Sequence, residues 1–153
     1  MPAAQRRGIS GVFSTAMDIA PTLLDIAGVS HPAPAYGGRE ILPMRGSSLR
    51  PWLEGDIDRV HPKGVSTGWE LFGRRALRQG NWKAVYVPDE DGVSRWQLYD
   101  LSQDRGEIED LAGRHPEKLD ELLILWRAYV EDNGVIETPL SIFDADPSHW
   151  LPK

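Results

Sequence analysis

The 153-residue chain has 23 acidic and 17 basic side chains, a net charge of −6, and 41% hydrophobic residues. That length suits one domain with its own core, and the acidic balance without a basic run argues against a nucleic-acid footprint. The chain has no cysteine, which excludes disulfides, thiolate nucleophiles and zinc–sulfur sites. No apolar run approaches a membrane span, and the N-terminus lacks the apolar core of a secretory leader. A soluble protein, cytoplasmic or periplasmic, is therefore expected.

Met1 to Gly11 is small, polar and basic, and reads as a linker or frayed end. Ser14 or Thr15 can then cap a helix over about 15–27, with Pro21 near its start, where a missing N–H costs least. Ile19, Leu23 and Ile26 recur at helical spacing and define an apolar stripe, and Gly28 is placed to end the helix in a left-handed conformation. Val29 to Pro62 is punctuated by Pro32, Pro34, Gly37, Gly38, Pro43, Gly46, Pro51 and Gly55, and reads as loop. So long a connection implies an excursion over another surface. Gly46-Ser47-Ser48-Leu49-Arg50-Pro51-Trp52-Leu53 lacks the lysine and glycine spacing of a phosphate-binding loop.

Val65 to Phe72 reads as the first strand of an antiparallel sheet. Arg75 to Arg78 and Trp82 to Val87 follow as strands around a reversal at Gln79-Gly80-Asn81. Pro88 stops the third strand, because it offers no ladder N–H. Trp96 to Leu101 is the fourth, its alternation placing Trp96 and Leu98 on one face and Gln97 and Tyr99 on the other. Beyond a turn at Ser102 to Glu107, Ile108 to Ala112 reads as a short helical piece. His115-Pro116-Glu117-Lys118 then opens the longest helix, over 116–132. Leu119, Leu122, Leu123, Trp126, Tyr129 and Val130 make one of its faces apolar, a natural cover for the dry side of the sheet. The tail 137–153, with Pro139, Pro147 and Pro152, is either a strap or mobile.

Three blocks carry a resemblance. Met17-Asp18-Ile19-Ala20-Pro21-Thr22-Leu23-Leu24-Asp25-Ile26-Ala27-Gly28-Val29, then Arg75-Ala76-Leu77-Arg78-Gln79-Gly80-Asn81-Trp82-Lys83-Ala84-Val85-Tyr86, then Gln97-Leu98-Tyr99-Asp100-Leu101 running on to Asp104-Arg105-Gly106-Glu107-Ile108-Glu109-Asp110-Leu111-Ala112, closely resemble the C-terminal part of the sulfatases, in particular bacterial arylsulfatases. Gly46 to Leu53 fits the family's Gly-x-Ser-Leu-x-Pro-x-Leu segment. The resemblance spans roughly Gly8 to Ile136. It implies an α+β fold, with a small four-stranded antiparallel sheet packed by a long C-terminal helix, preceded by a helix and loops belonging to a large α/β domain of alkaline-phosphatase type. The expected boundaries are 1–64 for the remnant of that large domain, 65–136 for the sheet-and-helix subdomain and 137–153 for the tail.

The resemblance also implies chemistry that this chain does not carry. Sulfatases share a Cys-x-Pro-Ser/Ala-x-Arg motif whose cysteine, or serine, becomes the formylglycine that attacks the sulfate ester, and neither form occurs here. No Asp-Asp pair of the kind that helps hold the family's calcium ion is present. Asp132-Asn133-Gly134 imitates a calcium triplet, but it ends a helix, where Asn and Gly are ordinary terminators. His31, His61, His115 and His149 have no metal spacing and read as loop or cap residues. No catalytic or metal residue is therefore assigned. The expectation is a truncated C-terminal piece, inactive alone, whose Met1 is an internal or misassigned start. Its partner is the N-terminal catalytic part, and calcium and formylglycine belong to the complete enzyme. The alternatives are a phosphate or phosphonate monoester hydrolase of the same superfamily, and a free-standing binding module.

The candidate substrate-contacting residues are Trp69 and Glu70, which the first strand would carry to the mouth of the complete enzyme's cleft. The plainer reading has Trp69 and Leu71 facing the core, with Glu70 turned to solvent or to Arg74 or Arg75.

Overall fold

The computed structural model describes residues 9–88 and 93–137. The chain divides into two compact units at Lys63 and Gly64.

In the first unit, a 3-10 turn over Ala16–Asp18 runs into helix α1, Ile19–Ala27. Thr15 caps this start: the Asp18 carboxylate accepts the Thr15 amide at 2.7 Å. Gly28, at φ 68°, closes α1 in the left-handed conformation expected of it. The loop-rich stretch that follows holds a minimal hairpin the sequence reading left out, β1, Ala35–Tyr36, with β2, Arg39–Glu40, and helix α2, Arg50–Glu54, which overlaps the Gly46 to Leu53 segment where the resemblance implies a helical turn. The hairpin turns on Gly37 and Gly38, both at positive φ.

The segment before α2 is clasped to α1. Leu49 donates its amide to Thr22 Oγ1 at 2.8 Å, Ser48 Oγ donates to Asp25 at 2.6 Å, and Arg50 pairs with Asp25 at 3.3 Å. The α1 stripe is a different matter. Ile19, Leu23 and Ile26 are 56%, 62% and 60% exposed, so the face defined by helical spacing is not covered.

The second unit is the four-stranded antiparallel sheet β3, Ser66–Leu71; β4, Arg74–Gln79; β5, Trp82–Pro88; and β6, Ser94–Asp100, in that spatial order, followed by helix α3, Pro116–Asn133. Gly68, Leu77, Ala84 and Leu98 stand opposite one another across the four strands. Leu77, Ala84 and Leu98 are fully buried in a core that α3 completes with Leu122 and Trp126. Gly68 makes room for the helix, since a Cβ there would lie 2.6 Å from the Tyr129 ring. Trp126 stacks on Tyr129 at 5.3 Å and meets Trp96 edge-on at 5.6 Å. Its indole N–H donates to Glu137 at 2.9 Å, and Glu137 also pairs with Arg75 at 2.9 Å.

The short helix expected over Ile108 to Ala112 does not form. The Asp104 carboxylate takes the amides of Gly106, Ile108 and Glu109, and Asp110 accepts the amides of Leu98 and Ala112. Aspartate side chains here compete successfully with helical carbonyls for backbone N–H groups. Leu111 instead donates to the Leu98 carbonyl, so the segment lies along β6. Gly134, at φ 62°, ends α3. His149 and the tail beyond Glu137 lie outside the described residues.

Candidate functional site

Successive side chains on a strand point to opposite faces, and this separates the two candidate residues. Glu70 lies in the row with Arg75, Tyr86 and Trp96, on the face that α3 covers. Trp69 lies in the row with Ala76, Val85 and Gln97, on the other face. Trp69 is 40% exposed and Leu71, two residues on, is 62% exposed. Both therefore turn away from the α3 core, contrary to the plainer sequence reading. The reason is Gly68: with a glycine under the Tyr129 ring, the even-numbered positions of β3 take the helix side. Glu70 is exposed, and among the described residues it makes no ion pair. Trp69 thus shares its face with Leu71 and not with Glu70.

The first unit holds a polar cluster that sequence reasoning missed. Asp18 is fully buried, and its carboxylate accepts the Ser47 amide at 2.8 Å, the Thr15 amide at 2.7 Å and His61 Nε2 at 3.0 Å. Burial alone would raise its pKa, but the Ser47 and Thr15 amides and His61 together hold it below the ordinary carboxylate range. The Phe13 ring lies 5.7 Å from the imidazole. The Thr15-x-x-Asp18 spacing is a readable capping signal. His61 gives no signal in sequence, because only the fold brings it to Asp18. Chemically the cluster is a saturated clasp: with its carboxylate oxygens already engaged by these donors, Asp18 is built to hold backbone together.

The other acidic concavity, between Trp82, Asp100, Asp104, Glu109 and His115, is likewise engaged. Asp104 holds the three amides named above, Asp100 accepts Ser102, and Glu109 pairs with Arg114 at 2.6 Å. Among the described residues, no three carboxylates or imidazoles converge as a metal ion requires, so the described residues do not fit a calcium site. No described helix is long and apolar enough to cross a membrane.

A sheet of four consecutive antiparallel strands covered by one long helix, preceded by a clasped helix and loop, is an α+β arrangement seen in solved structures. It matches a protein solved with its substrate D-glucosamine-2-N,6-O-disulfate at a TM-score of 0.51 and 24% identity, over 76% of this chain and 24% of that one. It matches another solved with k-i-k-neocarrahexaose at a TM-score of 0.56 and 20% identity, over 76% and 24%. No profile of a known protein family matches. Among curated proteins, an uncharacterized sulfatase of Schizosaccharomyces pombe is 47% identical over 133 residues, 86% of this chain and 24% of the relative. Arylsulfatase K of Xenopus laevis is 36% identical over 74% of this chain, and that of Homo sapiens 33% identical over 71%. The chain belongs to the sulfatase family and corresponds to a C-terminal portion of its members. It spans about a quarter or less of the length of the relatives it matches, 24% and 21% for the first two.

Proposed function

We propose that this chain is the C-terminal part of an arylsulfatase-like sulfuric ester hydrolase, and that its own work is structural. The observation that carries this reading is the 47% identity to a sulfatase over 86% of the chain. The exposed stripe of Ile19, Leu23 and Ile26 supports the second half of it. Three large apolar side chains along one helix face suit packing against the catalytic part, which is the proposed partner. In the complete enzyme a formylglycine would attack the sulfur of a sulfate monoester and a calcium ion would stabilise the charge on its oxygens. In this reading both groups belong to the part of the enzyme outside this chain, and the described residues gather no group of three metal-ligating side chains.

Beyond that structural work, we propose that β3 supplies a contact to the organic part of the substrate in the complete enzyme. Trp69 is the stronger of the two candidates, because its ring is exposed beside Leu71 on the face α3 leaves open. The test is to express the reading frame continuous with this chain and assay nitrocatechol sulfate. The longer polypeptide is expected to hydrolyse it and the 153-residue chain to be inactive. Hydrolysis by the 153-residue chain alone would overturn the proposal. Preferential cleavage of a phosphate or phosphonate monoester by the longer polypeptide would favour the sister chemistry of the superfamily instead.

A further inference from the structure

Gly28, at φ 68°, ends α1 and turns the chain back on itself, so that the Val29 amide donates to the Leu24 carbonyl at 2.9 Å and the loop starts against the last turn of the helix. Further on, the Ile41 amide donates to the Pro34 carbonyl at 2.8 Å, and Pro43 and Met44 return to the same helix end. Between helix and loop lies a groove of about 460 Å³, within the roughly 300–1,000 Å³ of small-molecule sites. Leu24, Val29, Pro43 and Met44 give it apolar walls, and Asp25 and His31 are its polar lining.

Those two side chains offer one donor and one acceptor. His31 Nδ1 accepts the Ala33 amide at 3.3 Å, so the ring proton stands on Nε2 and makes that nitrogen a donor. Nε2 has no partner among the described residues, and no buried side-chain nitrogen or oxygen among them lacks one, so this N–H opens to solvent. Asp25 accepts Ser48 Oγ on Oδ2 and Arg50 on Oδ1, two of the roughly four acceptor sites of a carboxylate, and so has room for a further donor. Arg50 is shared with Glu54 at 2.9 Å, and two carboxylates around one guanidinium leave the group net negative.

We propose that this groove binds a free phenol, the class of product that hydrolysis of an aryl sulfate releases, an assignment that rests on the arylsulfatase reading of the complete enzyme. A hydroxyl on an aromatic ring complements both polar groups: its O–H donates to Asp25 and its oxygen accepts from His31 Nε2–H, while the ring lies on the apolar walls. Phenol is neutral at pH 7, as a tyrosine hydroxyl with a pKa of about 10 is. The uncleaved ester is disfavoured twice, because it has no O–H for Asp25 and its sulfate charge meets that carboxylate.

The test is a titration of phenol at pH 7 into the isotope-labelled 153-residue chain, followed by amide chemical shifts and repeated with anisole and with phenyl sulfate. Phenol should move the amides of Val29, His31 and Ala33 saturably. Anisole, which keeps the ring and the oxygen but lacks the O–H, should bind about tenfold more weakly, and phenyl sulfate at least as poorly. His31→Leu, which keeps an apolar wall and removes the N–H, should weaken phenol by about fivefold or more. The full-length polypeptide should bind phenol at the same amides. Shifts that do not saturate, or equal affinity of the wild-type chain for phenol and either analogue, would overturn the proposal whether or not the variant folds. So would binding by the 153-residue chain that the full-length polypeptide lacks, since the protein itself would then fill the groove. If the full-length polypeptide binds phenol there but does not hydrolyse aryl sulfates, the enzymatic reading fails and the groove stands.

Discussion

Asp18 and His61 lie 43 positions apart, and the imidazole reaches the fully buried carboxylate at 3.0 Å. Because the folded state holds Asp18 below the ordinary carboxylate pKa of about 3.9, an unfolded chain takes up the proton first as the pH falls. The stability this group contributes is therefore complete above about pH 4 and is lost as the pH drops through the folded value. Protection of the Ser47 amide, its exchange rate taken relative to that of an unfolded peptide at the same pH and followed from pH 6 to pH 3, should fall below about pH 4 in the native protein. Asp18→Asn should be destabilised by about 2–4 kcal/mol at neutral pH and show a flatter acid limb, because an amide cannot accept from all three donors. An unchanged acid limb would show that another carboxylate governs this unit.

Gly46 is the second point at which this unit is closed. A Cβ built there would lie 1.9 Å from the Met17 carbonyl oxygen, a clash with backbone that no rotamer change relieves. Gly46→Ala should therefore break the Ser47–Asp18 and Leu49–Thr22 bonds and cost about 3 kcal/mol or more. Urea denaturation of the variant, read by exchange at Leu49, checks it. A loss under about 1 kcal/mol would show that the loop has room to move.

The sheet and its helix were legible because their signals are local and repeated: aromatic and β-branched runs, Gly80-Asn81, and apolar spacing from Leu119 to Val130. The orientation of β3 was not legible, because Trp69-Glu70-Leu71 alternates in either direction and the choice is made by the Tyr129 ring over Gly68. The reading of Ile108 to Ala112 as helix failed for a related reason. Asp104 and Asp110 act through side-chain oxygens on amides up to five residues ahead in one case and on β6 in the other, which periodicity does not register. The Thr15–Asp18 half of the buried clasp could be read from spacing, whereas His61 required the fold.

Trp126 joins three parts of the second unit, being 4% exposed, packed on Trp96 and Tyr129, and hydrogen-bonded to Glu137. Trp126→Ala should cost about 3–5 kcal/mol by chemical denaturation, since the ring leaves a large cavity beside Leu98 and Leu122. Trp126→Phe, which keeps much of the ring but loses the bond to Glu137, should cost about 1–2 kcal/mol. Equal losses in the two variants would show that the hydrogen bond dominates over packing.

Gly68 and Tyr129 form a steric pair that a double-mutant cycle can isolate. The added methyl of Gly68→Ala meets a side chain, so the helix can yield at a cost of about 1–3 kcal/mol. In a Tyr129→Ala background the same substitution should be close to neutral, because the ring that it strikes is gone. Additive losses would show that the strand backbone, and not the ring, resists the methyl.

Opposite faces of one strand do not both look into the same cleft, and this sharpens the substrate hypothesis for the complete enzyme. If Trp69 contacts the organic part of a sulfate ester, Trp69→Ala should lower kcat/KM for a bulky aryl sulfate by about tenfold or more, the scale of one lost apolar contact. Glu70→Gln, on the α3 side of the sheet, should then leave kcat/KM within about twofold, since an exposed carboxylate contributes little at a distance. Comparing a small with a large aryl sulfate separates contact from general loosening: a contact made by Trp69 penalises the large ester more. Equal losses for both variants on both esters would mean that β3 acts only by holding the sheet in place.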